Sequence, residues 1–128
     1  MASIFTKIID SEIPSYKIAE NDKFLAFLDV MPLSLGHTLV VPKQEIDYLY
    51  DLPDELLGEL FIFSKKVAKK LEKAIDCQRI GVSVIGLEVP HAHVHLIPIN
   101  NVSDMNFSKP KLKVSSEELE KMANLING

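Results

Sequence analysis

The segment Pro90-His91-Ala92-His93-Val94-His95-Leu96-Ile97-Pro98 constrains this chain more than any other. Three of the four histidines stand in it, each separated by one apolar residue, and proline closes it at both ends. In a helix, residues two apart differ by about 200°, so His93 would point away from His91 and His95. The bracketing prolines make such a helix too short to form in any case. In a strand, all three imidazoles leave one face about 6–7 Å apart, while Ala92, Val94 and Leu96 line the other. A chain with this segment needs a sheet with one greasy side to be covered and one side that gathers imidazoles.

The neighbouring sequence offers both. Leu56, Leu60, Phe63, Val67, Leu71 and Ala74 recur at steps of three and four, which predicts a long helix from about Pro53 to Ala74 with one apolar stripe. Pro53 suits a first turn, Asp54 and Glu55 complement the positive helix end, and Lys65, Lys66, Lys69, Lys70 and Lys73 read as a solvated face. "SYKIAE", "KFLAFLDV", "HTLVVPK" and "RIGVSVIG" read as further strands, with Glu20-Asn21-Asp22 as a turn. In "HTLVVPK" the period of two places His37, Leu39 and Val41 together. Ser3 predicts a cap for a short helix over residues 3–9, and "SSEELEKMANLI" predicts a short C-terminal helix with a serine cap. The polar "NNVSDMNFSKPKLK" between reads as a surface connection. Strands gathered around one long helix predict an α+β fold with a mainly antiparallel sheet.

Length and charge narrow the functions. A chain of 128 residues is expected to form one domain over 1–128, with its core in about 3–100 and a C-terminal connection and helix in 101–128. A net charge of -4 argues against nucleic acid as the main partner without excluding a small nucleotide. No stretch approaches a membrane span, and the acidic residues near the N-terminus do not resemble a secretory leader, so no membrane association and a cytoplasmic location are expected. The single cysteine, Cys77, reads as a structural residue at a helix end.

A buried core does not call for three imidazoles in a row, since each carries polar nitrogens that need partners. Surface histidines on a wet strand are one explanation. A metal site is another, with His37 as a further ligand, although no cysteine or carboxylate cluster of ligand spacing completes the shell. Nucleophilic catalysis is the third: one imidazole attacks while its neighbours fix its tautomer or face an anion.

"HAHVHLI" resembles the His-x-His-x-His pattern of the histidine triad (HIT) superfamily of nucleotide hydrolases and transferases. "SIFTKIIDSEIPSYKIAENDKFLAFLDVMPLSLGHTLVVPK" resembles the N-terminal half of its Hint branch, so that the similarity spans about residues 3–100. The resemblance implies the HIT fold, a five-stranded antiparallel sheet with one long helix and short flanking helices, paired as a two-fold homodimer. It implies hydrolysis of purine nucleoside phosphoramidates, or related AMP or GMP conjugates, through a nucleotidyl-histidine. Alternatives are a nucleotide-binding scaffold dimer with vestigial chemistry, or a dinucleoside polyphosphate hydrolase. No cofactor and no metal are implied.

Carried onto this chain, the pattern makes His93 the nucleophile and His95 the donor to the phosphate. It makes His91 a positioning residue acting mainly through its carbonyl, and His37 a support behind the triad. Asp29 corresponds to the acid that accepts the ribose hydroxyls. Ile4, Phe5, Ile8, Phe27, Val30 and Leu39 match the purine pocket, and Gly86, Glu88 and Val89 match the turn that approaches phosphate and leaving group. The chain departs from its relatives just there. Ser83 stands where an Asn is common, Leu87 where a Gln is common, the turn is about three residues shorter, and Leu28 replaces a histidine before the ribose acid. The retained third histidine, His95, sets the chain apart from the uridylyltransferase branch and favours hydrolysis.

Overall fold

Ser3 starts the fold. In the computed structural model, which describes residues 2–128, its Oγ accepts the Thr6 N–H and caps helix α1 (Ile4–Ile9). A hairpin follows, β1 (Lys17–Glu20) and β2 (Phe24–Leu28), closed by Asn21, whose Oδ1 accepts the N–H groups of Lys23 and Phe24. Next come β3 (Thr38–Pro42), helix α2 (Asp54–Ala74), β4 (Arg79–Ser83), β5 (Val94–Ile99) and helix α3 (Ser116–Asn127). Ser115 and Glu118 cap α3 reciprocally. The five strands form one antiparallel sheet in the order β1-β2-β3-β5-β4, the expected architecture.

The two faces of this sheet are covered differently. On one, Ile18, Phe24, Ala26, Leu28, Val40, Val94 and Leu96 pack against Leu60, Phe63, Val67 and Leu71 of α2 and Leu119, Ala123 and Ile126 of α3. Each buried Val, Leu, Ile or Phe among these contributes roughly 1.5–3 kcal/mol. α3 therefore belongs to the core, which extends past residue 100. Asn127 also donates to the Lys17 carbonyl and accepts from Lys70, so that one lysine of the α2 surface is tied down. On the opposite face Phe5 of α1 closes a smaller cluster with Leu25, Phe27, Leu39 and Val41. Both sides of β2 and β3 are thus covered, which is why every residue in these strands is buried.

β5 is shorter than the histidine alternation predicts. It begins at Val94, because the Ala92 N–H is taken by the Ile46 carbonyl at 2.7 Å, beyond the end of β3. The alternation survives in the extended lead-in. Ala92 joins Val94 and Leu96 against the helices, while the rings of His91 and His93 both meet Phe5 on the other side. Among the described residues, no helix is long and apolar enough to cross a membrane.

Candidate active site

The four histidines come together on the face opposite α2, and their backbone partners dictate where each proton sits. All four are buried, and among the described residues no buried side-chain nitrogen or oxygen lacks a partner. His93 Nδ1 lies 2.7 Å from the His91 carbonyl oxygen, which can only accept, so Nδ1 carries the proton. Its Nε2 is left with a free lone pair and no protein partner, open to a cavity of about 200 Å³.

The protons of His37 and His95 are fixed in sequence. The Leu33 N–H donates to His37 Nδ1 at 3.0 Å, so His37 carries its proton on Nε2. That nitrogen donates to His95 Nδ1 at 2.9 Å, which leaves His95 with its proton on Nε2, aimed into the same cavity. One backbone amide, in the loop between β2 and β3, thus sets a donor beside the His93 lone pair. The rings of His93 and His95 are 5.0 Å apart.

His91 works on the scaffold. Its Nε2–H donates to the Pro42 carbonyl at 2.8 Å and its Nδ1 accepts from Ser3 Oγ at 2.7 Å. Ser3 N–H and Thr6 Oγ–H both donate to Glu45 Oε1. The His91 ring therefore rivets α1 to the end of β3, and its own carbonyl is held where it takes the His93 proton.

Burial keeps the His37, His91 and His95 rings neutral. Desolvation first, then the neighbouring histidines and Lys111, push His37 down to about 3 and His95 down to about 4. His91 is also lowered, chiefly by burial, against the opposing pull of the Pro42 carbonyl and Glu45. Asp29 moves the other way: burial raises it, opposed by the Met31 N–H and the charge of Lys111. Its Oδ1 makes the turn with that N–H at 2.9 Å, and its Oδ2 stands 3.7 Å from His37 Nε2. Asp29, His37 and His95 lie close enough to share an ion. However, a metal bound through His37 would have to displace the proton that Nε2 donates to His95.

The remaining expected residues divide by position. Gly86 and Glu88 line the cavity with Ile85 and Leu87, and Gly86 adopts φ +77, a backbone state that favours glycine. Ser83 sits directly across from His95 in the β4–β5 ladder without reaching the cavity wall. Val89 packs against the Phe5 cluster instead. Phe5, Phe27 and Leu39 are buried there with Ile8 beside them, whereas Ile4 and Val30 are half exposed. A larger, shallower groove of about 380 Å³ near Lys23, Lys43 and Glu59 holds no nucleophile.

Three residues of the cavity wall escaped the sequence reading: Ile85, Phe107 and Lys111. The stretch read as a surface connection in fact crosses the site, and Phe107 and Lys111 line the cavity. The Phe107 ring stands edge-on to His95 at 4.9 Å and to His37 at 6.3 Å. The signal available was slight: Met105 and Phe107, two apolar side chains two apart, with Val102 and Leu112 further out in a mostly polar run.

The HIT domain family matches residues 10–102, which hold Asp29, His37 and the whole triad. The chain belongs to the HIT family. It is 35% identical over 130 residues to the adenosine 5'-monophosphoramidase of Schizosaccharomyces pombe, covering 99% of this chain and 97% of that one. It is 44% identical over 99 residues to the enzyme of the same name from Saccharomyces cerevisiae, covering 76% of this chain and 62% of that one. Among solved structures, a Hit-like protein from Bartonella henselae superposes with a TM-score of 0.84 at 34% identity, covering 98% of this chain and 94% of that one. The HIT match ends at residue 102, before Phe107 and Lys111.

Proposed function

We propose that this HIT protein hydrolyses purine nucleoside phosphoramidates, or related nucleoside monophosphate conjugates, through a nucleotidyl intermediate on His93. The observation that carries the reading is the His93 tautomer: Nδ1–H is committed to the His91 carbonyl and Nε2 faces the cavity with its lone pair free. Nε2 forms a bond to the α-phosphorus as the P–N bond to the amine breaks, and the amine leaves with a proton taken up from solvent, while Nδ1 keeps its own on the His91 carbonyl. Water then cleaves the P–Nε2 bond, releasing the nucleoside monophosphate and the neutral imidazole.

The other residues follow from their placement. His95 Nε2–H donates to a non-bridging oxygen, where charge is stabilised during transfer. Asp29 keeps Oδ2 for the ribose hydroxyls, since Oδ1 is occupied by the Met31 N–H. The base is assigned to the Phe5, Phe27 and Leu39 cluster, against which Ile8 packs, together with the exposed Ile4 and Val30. Two relatives named adenosine 5'-monophosphoramidase support this substrate class.

The test is turnover of adenosine 5'-phosphoramidate by the wild-type protein and His93→Asn, with mass analysis of acid-quenched wild type. A loss of at least about 10³-fold in the variant and an AMP adduct on His93 are expected. Near-normal turnover by the variant overturns the assignment. A scaffold role with vestigial chemistry has one observation in its favour: the turn beside the phosphate presents Leu87, 88% exposed, and the Glu88 carboxylate in place of neutral donors. Tight AMP binding without turnover of any conjugate would establish that reading. We further infer a homodimer, because β4 is an edge strand exposing Val82 and the adjoining α2 exposes Phe61 and Ile62. Light scattering at twice the monomer mass is the expected result.

A further inference from the structure

The segment after β5 is built as a strap across the site. It leaves β5 through a turn in which Asp104 accepts the N–H groups of Asn100 and Asn101. Met105 then lies over bare Gly81, where a Cβ would meet its sulfur at 2.7 Å. Gly81 pairs with Ile97 across the ladder, so Met105 covers the sheet two residues beyond His95. Phe107 closes on His95 and His37, and the Leu112 N–H ties the far end to the Pro32 carbonyl at 2.9 Å. Between these anchors, Lys111 enters the cavity.

Charge makes the placement informative. Among the described residues, the cavity wall holds two carboxylates, Asp29 and Glu88, and Lys111 is the only lysine or arginine that lines it. A phosphate entering there would otherwise meet two anions and the neutral His37 and His95 rings. Lys111 is not spent on a carboxylate: no ion pair among the described residues includes it. Its Nζ donates to the Phe107 carbonyl at 2.7 Å and lies 5.4 Å from the Phe107 ring centroid. An ammonium group has three donors, so two are free. The strap thus holds a partly desolvated cation by its carbonyl and ring, with spare donors on the side where His95 also donates.

We propose that Lys111 is a substrate-contacting residue whose ammonium binds the non-bridging oxygens of the α-phosphate opposite His95, held there by Phe107. This inference rests on the nucleotide reading given above. Phe107 is a positioning residue in this arrangement, fixing the Lys111 ammonium and confining the His95 ring.

The experiment compares wild type, Lys111→Met and Lys111→Arg for binding of AMP and of adenosine by calorimetry, and for turnover of adenosine 5'-phosphoramidate. Lys111→Met keeps the aliphatic stem and removes the charge. It is expected to weaken AMP roughly ten- to a hundredfold, the range of a lost charge-assisted hydrogen bond, and to leave adenosine within about twofold. Lys111→Arg should restore most of the AMP affinity. Equal weakening of AMP and adenosine, or no change in AMP, overturns the proposal. If a variant melts well below wild type, the Lys111→Arg ratio of AMP to adenosine affinity decides, since a merely structural defect moves both ligands together. Failure of the nucleotide reading looks different: the wild-type protein itself would bind no AMP, or its turnover would not depend on His93.

Discussion

The two faces of the sheet are separated by a single strand thickness and follow opposite rules. Toward α2, Val94 and Leu96 belong to the apolar core cluster, and any residue of similar volume and polarity would serve. Toward the cavity, His93 and His95 alternate with them in the same stretch, and in each ring Nδ1 is committed to a protein partner while Nε2 faces the cavity. The helix face contributes stability through area removed from water, which is additive and tolerant. The histidine face contributes little stability, because its polar groups are desolvated and satisfied one by one, and on the reading proposed above it carries the chemistry. The difference teaches that the apolar face stiffens the backbone to which the imidazoles are pinned, without touching the reaction.

The sharpest way to break this comparison is a double dissociation. Leu71→Ala removes a fully buried side chain of α2 and should cost about 2–5 kcal/mol in urea unfolding, with kcat per folded molecule within about twofold. His93→Asn should do the reverse, losing at least about 10³-fold in turnover while the melting temperature moves by only a few degrees. If Leu71→Ala lowered kcat in proportion to its stability loss, the faces would be coupled and the division wrong.

Acid should destabilise the protein through the histidine face alone, at first. His37 and His95 are held down to about 3 and about 4 against an ordinary 6.5, chiefly by burial. The folded-state values are depressed, so the unfolded chain binds protons that the native chain refuses. Stability is fully present above about 6.5 and falls as pH drops toward these values. His91 adds to the slope, and Asp29, raised by burial, subtracts one proton over its own window. A net of one to two protons gives about 1.4–2.7 kcal/mol per pH unit between about pH 5.5 and 4.5. Below 4.5, Glu20 and Glu45 join in, each held down to about 2, by Lys17 and by the Ser3 N–H respectively. Denaturant midpoints at four pH values would check this, and a flat profile from 6.5 to 4.5 would contradict it.

How legible each face was in the sequence follows from the range of its interactions. The helix face announces itself by periodicity, since Leu60, Phe63, Val67 and Leu71 repeat at helical spacing and Ala92, Val94 and Leu96 at strand spacing. The triad was legible because its three members lie within five residues. Its wiring was not. The Leu33 amide reaches His37 through a loop with no periodicity, and the Ile46 carbonyl that delays β5 is set by the path after β3. The strap was least legible. Phe107 and Lys111 sit in a run whose composition is that of any exposed loop, and only the anchors at Gly81 and Pro32 turn it over the site. Long-range placement of a polar segment leaves no local pattern to read.

The smallest expected effect probes where the faces are joined. Ser3 caps α1 with one oxygen that also donates to His91 Nδ1, so a single hydroxyl links helix start, β3 end and the carbonyl that fixes the His93 tautomer. Ser3→Ala removes the cap, at about 1 kcal/mol, and leaves His91 Nδ1 with only the Thr6 hydroxyl, 3.4 Å away and already donating to Glu45. The His91 ring still donates to Pro42, so its carbonyl should shift only slightly and kcat should fall a few fold, with adenosine and AMP affinities preserved. Ser3→Thr keeps the hydroxyl and should restore both stability and rate. A rate unchanged in Ser3→Ala alongside the expected stability loss would show that His91 is held by Pro42 alone, and that α1 belongs to the packing of the molecule and not to its chemistry.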